Sequence, residues 1–436
     1  MKEITKTFCR YVSMNIVGML GISFYILADT FFIAQGIGAD GLTALNLVIP
    51  VYNLFHGIGL MIGMGGATRY SLALGTGNET LRRNIFSQSV YYMLLCAAVF
   101  VSLGITAVKP LSLLLGANAD TLQLTVGYLR ILLIFTPFFM CNNLLICFVR
   151  NDSAPQRSMA GMLAGSLFNV IMDYVLIFVF DMGMQGAALA TAASPLVSMV
   201  VLSGHFIHKK NKFRFHLVRP SVKCLADISA LGSSSLIVEV SSGIVMLVFN
   251  LLILRISGNI GVAAYGVVAN IALVLTAIFN GISQGIQPLI SQNFGRRNYP
   301  AVKQVLCYAL VLTLVLALLS YGLMYFANEP IVALFNKEKN PTLQIIAENG
   351  MRLYFTALPF IGINIITATF LSSVASPKQA FVLSVARGIV VVIPTAFLLA
   401  AWFDLNGIWM TIPVTELFVS LLSARFLKKR IKYFSV

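Results

Sequence analysis

The sequence is short of charge. Only 10% of its 436 residues are Asp, Glu, Lys or Arg, against roughly 25% in an ordinary soluble domain, while 58% are hydrophobic and the mean hydropathy is +0.88. That balance excludes a soluble globular protein and points to an integral membrane protein. Several enzyme signatures are also missing: there is no H-E-x-x-H and no G-x-x-x-x-G-K-[ST]. Without the second, the chain is not a self-contained ATP-driven pump. Of its four histidines, His205, His208 and His216 lie at or near one basic loop, and His56 sits within an apolar stretch where packing is the simpler reading. The six cysteines (Cys9, Cys96, Cys141, Cys147, Cys224 and Cys307) show no metal spacing and no disulfide framework, so they are expected to be reduced and mostly buried. "GMGG" at 63–66 follows no strand, which makes it a site of close helix packing before a phosphate loop. No enzyme activity and no cofactor are implied.

What is present in abundance is apolar length. Long hydrophobic stretches recur at about 12–36, 42–74, 85–107, 121–149, 158–180, 184–207, 225–254, 260–291, 304–327, 344–372, 379–402 and 405–427, each long enough for the roughly 20 residues that cross a bilayer as helix. They are continuously apolar rather than alternating, and lipid tolerates only helices or closed barrels, so the expected fold is all-α with twelve transmembrane helices. The N-terminal "MKEITKTFCRYV" lacks a short apolar core with a cleavage site and reads as part of the first helix.

The net charge of +15 is explained by where the cations fall. Lys2, Lys6 and Arg10, then Arg82 and Arg83, Arg150 and Arg157, "HKKNKFRFHLVRPSVK" at 208–223, Arg296, Arg297 and Lys303, Lys378, and "RFLKKRIK" at 425–432 occupy every second gap. The other gaps hold only Lys109, Arg255, Lys337 and Lys339. By the positive-inside rule both termini are cytoplasmic, and the basic excess is a topology signal, with no nucleic-acid partner.

The 208–223 segment divides the spans six and six, and the halves align. At an offset of 220, residues 38–78 and 258–298 share ten identities in 41 ungapped positions, among them Gly38/Gly258, Gly65/Gly285, Gly75/Gly295 and Asn78/Asn298. At 222, Arg130/Arg352, Pro137/Pro359, Asn142/Asn364 and Pro155/Pro377 also match. Six spans per copy make the repeats parallel, related by a pseudo-two-fold along the membrane normal. The organisation expected is an N-lobe over 1–207, a basic interlobe loop over 208–223 and a C-lobe over 224–436, with substrate near the midplane between lobes that rock. Prolines inside spans (Pro50, Pro137, Pro195, Pro288, Pro359, Pro394 and Pro413) suggest kinked helices around a cavity.

Of fifteen acids, only Asp29, Asp173, Glu239 and Glu416 lie well within spans. A charged side chain at the bilayer centre costs roughly 2.5–3.5 kcal/mol on insertion scales, so it faces protein or water and marks a pathway. Asn169 and Asp173 are four apart and share a helix face; a carboxylate with an amide carbonyl makes a hard oxygen site suited to a small cation. The plainer alternative is a protonated acid bridging two helices, and it applies to Asp29, Asp173 and Glu239 alike. Methionines and the 31 phenylalanines serve either packing or an adaptable lining.

"LADTFFIAQGIGADGLTALNLVIP" at 27–50, "FNVIMD" at 168–173, "GAALATAAS" at 186–194, "VEVSSGIVMLVFNLLI" from 238 and "AYGVVANIALVLTAIFNGISQGIQPLISQNFGRRN" ending at 298 resemble the multidrug and toxic compound extrusion (MATE) family over nearly the whole chain. The resemblance implies two six-helix lobes in a bacterial inner-membrane protein, acting as a monomer surrounded by lipid, that exports organic cations in exchange for inward H+ or Na+. It places a cation site, for H+ or Na+, on Asp29, Asn169, Asp173 and Thr191, and a substrate site at Glu239, with Asn364 where some members carry a tenth-helix acid. A lipid-linked precursor flippase of the same superfamily is the alternative, which Arg130, Arg352 and Arg387 keep open.

Overall fold

The computed structural model describes residues 2–207, 211–336 and 339–434; His208 and Lys337, named above, lie outside them. Among the described residues the secondary structure is entirely helical. The spans are α1 (Lys2–Gly36), α2 (Ala39–Thr76), α3 (Glu79–Thr106), α4 (Leu122–Ile134 and Thr136–Asn151), α5 (Pro155–Val179) and α6 (Gly183–Ile207), then α7 (222–257), α8 (259–295), α9 (Tyr299–Phe326), α10 (Pro341–Ser373), α11 (377–403) and α12 (405–432). Short helices Val108–Leu114 and Asn328–Phe335 follow α3 and α9 at equivalent places.

The ends of these helices carry the repeat. α7 and α8 join through Gly258 alone, at φ +62, and Gly38 opens α2 at φ +87. Only glycine adopts that left-handed backbone without cost, so the same turn recurs in both halves. Asp404, at φ +49, makes the corresponding reversal between α11 and α12. Asn78 and Asn298 each accept a hydrogen bond from the backbone three residues on, capping α3 and α9 at 2.9 and 3.3 Å.

The prolines act unevenly. Helices run unbroken through Pro50, Pro195, Pro288 and Pro413, whereas the breaks fall just before Pro137, where α4 bends by 49°, and before Pro359, where a 3-10 turn interrupts α10. There Thr136 and Leu358 open the next segments and the proline sits in their first turn, where its missing N–H would have had no partner in the helix. Single π turns interrupt α5 at Val175–Val179 and α11 at Ala386–Val390. Such turns mark functional positions more often than plain helix does.

Two hydrophobic cores form. One gathers buried residues such as Ile33, Phe55, Ile62, Leu129 and Phe148, the other Phe249, Ile282, Phe355, Phe370 and Trp409. The cores exchange ends: Phe8, Tyr11 and Val12 of α1 belong to the second, Cys224 and Ile228 of α7 to the first. Leu94, Leu95, Val99, Leu318, Leu319 and Phe326 remain exposed, an apolar exterior of the kind lipid covers.

On the face that carries both termini the halves close tightly. A Cβ on Gly65 would overlap the carbonyl of Ile228, one on Gly232 the carbonyl of Met61, and one on Gly285 would lie 2.9 Å from the Val12 Cα. Gly75 and Gly295 face each other, a Cβ on the second falling 3.0 Å from the Cα of the first. Side chains add a clasp: Arg150, fully buried, donates to Asn15 (3.0 Å) and Gln284 (2.5 Å), and Asn151 donates to Gln287 (2.8 Å), which donates to Thr68 (2.9 Å). Arg150, read from the sequence as a loop cation, is thus part of the lobe contact. The opposite ends, around Gly38 and Gly258, have nothing close to them.

The interlobe segment is a strap rather than a loose linker. Asp152 accepts from Tyr70 (2.7 Å) and the Lys212 amide (2.7 Å) and pairs with His205 (2.9 Å). Phe213 is fully buried against Tyr70, Phe86, Phe148 and Phe206, and His216, Val218 and Ser221 donate backbone hydrogens to Ser87, Tyr91 and Gln88 on α3. Among the cysteines only Cys147 and Cys224 are buried, while Cys9 and Cys307 are exposed, so the expectation of mostly buried thiols is corrected; membrane spans expose side chains to lipid as readily as they bury them.

Candidate functional site

Inside the first lobe, three helices bring four of the expected residues together. Asn169 and Asp173 stand one turn apart on α5, both fully buried; Thr191 on α6 and Asp29 on α1 face them and are nearly as buried. The Asn169 amide donates to the Thr191 hydroxyl at 3.3 Å, and the Asp29 and Asp173 carboxyls lie within hydrogen-bonding reach of each other. Tyr128 on α4, buried, is within hydrogen-bonding reach of Thr191. No protein donor reaches Oδ1 of Asp29, Oδ1 of Asn169 or either oxygen of Asp173.

Buried acceptors are ordinarily satisfied, and two touching carboxylates out of water repel. A proton shared by the pair, or one small hard cation among the oxygens, answers both demands. Among the described residues no three or more His, Cys, Asp or Glu cluster as a metal site; this set offers two carboxylates, an amide oxygen and a hydroxyl. The π turn begins two residues after Asp173, where helix geometry is already irregular.

Glu239 lies elsewhere, on α7 between the lobes. Its side chain, 28% exposed, passes over Gly57, where a Cβ would come to 3.0 Å from the Glu239 Cβ. His56 on α2 approaches it, Nδ1 to Oε2 at 3.6 Å, and stacks on Tyr52 with centroids 5.4 Å apart and planes 12° from parallel. Tyr52 in turn neighbours Tyr25, one turn from Asp29 on α1. His56, read from the sequence as a packing residue, therefore faces the second intramembrane acid.

Asn364 does not join Glu239. It is fully buried in the second lobe, donating to the backbone oxygen (2.9 Å) and Oε2 (2.6 Å) of Glu416 and accepting from Ser423 (2.7 Å). Arg387, in the π turn of α11, donates to Oε1 of Glu416 through Nε (3.0 Å) and Nη2 (2.7 Å). The second lobe thus carries its own cation on a side chain, neutralising its one buried acid. Sequence reasoning picked out both charges but not their pairing, because nothing in a linear chain reports that α11 and α12 face each other at these turns. Arg130 and Arg352 are exposed, the latter set 5.9 Å from the Tyr325 ring. The three arginines do not converge.

"GISQG" at 281–285 matches the G-x-S-x-G spacing of hydrolases, yet it lies mid-helix in α8, where Gly281 and Gly285 meet α1 and Ser283 bonds to Thr369 at 2.6 Å. A nucleophile elbow needs a strand-to-helix turn.

The MatE family model matches residues 15–175 and 235–398, one segment in each half. The chain belongs to the multidrug and toxic compound extrusion family. Members are secondary active transporters, not enzymes, and this one is an integral membrane protein with the family's twelve-helix, two-lobe fold. It is 28% identical to the multidrug export protein MepA of Staphylococcus saprophyticus over 407 residues, 93% of this chain and 89% of that one, and 26% identical to MepA of Staphylococcus aureus over 415 residues, 95% and 91% respectively. In fold it superposes on an outward-facing multidrug resistance MATE transporter of the MOP superfamily with a TM-score of 0.93 at 21% identity, covering 99% of this chain and 97% of that one. A MOP superfamily transporter from Pyrococcus furiosus, whose binding pocket has reversed polarity suggesting a different function, superposes with a TM-score of 0.91 at 20% identity, covering 99% and 97%.

Proposed function

We propose that this MATE transporter exports small organic cations in exchange for inward H+ or Na+, with the ion bound at Asp29, Asn169, Asp173 and Thr191 and the substrate drawn to Glu239. The observation that carries this reading is the separation of two acidic sites: a sealed pair within one lobe, where among the described residues no donor meets Oδ1 of Asp29 or either oxygen of Asp173, and a partly exposed carboxylate between the lobes. The first suits an ion that must be stripped of water. The second suits a bulky cation that meets apolar walls and charge together. Asn364, taken up by Glu416, serves the internal network of the second lobe in this scheme, a change from its expected place in the substrate site. An anionic lipid-linked substrate is disfavoured because Arg387 is already neutralised and the other arginines point elsewhere.

Alternating access couples the sites through differential affinity. Moving one monovalent cation out against an inside-negative potential costs roughly 2.3 kcal/mol per 100 mV, and one monovalent ion moving in offsets it, so the ion's chemical gradient drives net export. The test is ethidium efflux from proteoliposomes with pH and sodium gradients imposed separately. One gradient should drive efflux, and Glu239→Gln should weaken a monovalent cationic dye far more than a zwitterionic one. Efflux that ignores both gradients would discard ion coupling, and equal loss for both dyes would make Glu239 structural.

The lobes are taken as 1–207 and 224–436, with the terminus-bearing face cytoplasmic in a bacterial inner membrane and the chain acting as a monomer. The motivation is the run of cations in alternate gaps. Lys212, exposed on the strap, provides the check: a cysteine there should resist an impermeant maleimide in intact cells and react once they are opened. Labelling in intact cells would invert the topology.

A further inference from the structure

His56 has no role in the exchange scheme as stated, yet it is the one side chain set to compete with a substrate for Glu239. We propose that His56 is a specificity-determining counter-ion: protonated, it occupies Glu239 and displaces an organic cation toward the open face, and unprotonated it yields the carboxylate. The inference rests on the reading of Glu239 as the substrate acid.

The geometry is that of a replaceable partner. At 3.6 Å the His56 to Glu239 contact is too long for a hydrogen bond and short enough for an ion pair once the ring is charged. Glu239 is the one carboxylate within pairing distance of His56 among the described residues. Both side chains are about a quarter exposed, 25% and 28%, unlike the sealed Asp29 and Asp173, so a ligand reaches the carboxylate; Nδ1 of His56, the atom nearest Glu239, is itself shut from solvent with no hydrogen-bond partner, and water meets the rest of the ring. The ring is held from behind: Tyr52 stacks on it, and Phe55 and Phe139 pack edge-on against Tyr52. Gly57, beside His56, leaves room for Glu239 against α2: a Cβ there would lie 3.0 Å from the Glu239 Cβ and 3.1 Å from the Leu236 Cδ1.

The titratable groups around this spot are Glu239 from α7 and Tyr52 from α2, with Tyr25 from α1 and Tyr128 from α4 next to Tyr52 and the aspartates Asp29 and Asp173 beyond Tyr25. Among the described residues no lysine or arginine forms an ion pair with His56 or Glu239. Imidazole is the side chain that changes charge between pH 5 and 8. A cation binding at Glu239 therefore sends the imidazolium proton to water, one proton for one cation. On an acidified outer side the reverse step unloads substrate, through a residue separate from the buried aspartates.

The experiment measures ethidium binding by fluorescence polarisation to purified full-length protein in detergent at pH 8 and 5.5. It is run in an Asp29→Asn/Asp173→Asn background so that those carboxyls do not titrate. With His56 present, the Kd should rise on the order of tenfold at the lower pH. His56→Gln should flatten the pH dependence, and His56→Lys should hold the dye off at both pH values. The opposite signs of the two variants separate this outcome from misfolding. An unchanged pH profile in His56→Gln, with Glu239→Gln abolishing binding, overturns the His56 inference alone; retention of dye by Glu239→Gln overturns the substrate assignment beneath it.

Discussion

Asp173→Asn should reduce ion-driven dye efflux to the level of protein-free liposomes, and Asp29→Asn should do the same. Each change keeps the side chain's volume and shape while removing a charge of the proposed cation site, so the lobe still packs. Coupling free energies in such systems are typically about 1–3 kcal/mol, and losing one of two carboxylates removes the larger part of the ion's preference for one state over the other. Both variants should elute as monodisperse protein and still bind ethidium, because Glu239 stands apart from them. Thr191→Ala should be milder: it removes the hydroxyl that accepts from Asn169 and contacts Tyr128 but leaves both acids. Near-normal transport by both aspartate variants would leave the buried pair as a structural bridge.

Gly232→Leu stops transport for a different reason, and its effect should be as large. α2 and α7 approach backbone to backbone at Gly65 and Gly232, where even a Cβ would overlap a carbonyl of the facing helix. Small residues are what allow such approach in membranes. A leucine there wedges the helices apart, so the terminus-bearing face can no longer seal and the substrate path leaks or stays open on one side. Cysteine reactivity reports it: Ser71→Cys, buried near the contact, should label slowly alone and quickly when combined with Gly232→Leu. Gly38→Ala, at the open end where nothing approaches, should show a backbone cost from its positive φ without the change in labelling. Equal labelling in the parent and the Gly232→Leu variant would mean that the helices tolerate the wedge and closure lies elsewhere.

Much of this architecture was legible beforehand, for reasons that differ by feature. Twelve spans follow from apolar length, which lipid enforces residue by residue, and the repeat was visible because Gly38/Gly258 and Asn78/Asn298 meet the same local demands, a left-handed turn and a helix cap. Asn169 and Asp173 share a face by their spacing alone. What stayed hidden lies between helices. His56 is 183 residues from Glu239, and Arg387 is 29 from Glu416; periodicity fixes a side chain's face on its own helix and says nothing of which helix stands opposite. The docking of the basic interlobe loop stayed hidden too, because it uses backbone hydrogens and one phenylalanine, Phe213, inside a run that composition makes look solvated.

The glycine contacts carry one more consequence. Adding 220 takes Gly75 to Gly295, Gly65 to Gly285 and Val12 to Gly232, so the pair Gly65 with Gly232 becomes Gly285 with Val12, and Gly75 with Gly295 becomes itself. Gly75 thus meets its own counterpart, and the other two contacts are exchanged for one another, the rule of an isologous two-fold interface. A chain half this length, holding a single copy, could have closed the same surface against a second molecule of itself. Fusing the two copies then allowed what a homodimer forbids: a buried pair of aspartates on one side, with Phe249 packed in the place that matches Asp29 on the other. Asymmetry of charge, and with it the division of labour proposed between ion and substrate, needs partners that are no longer identical.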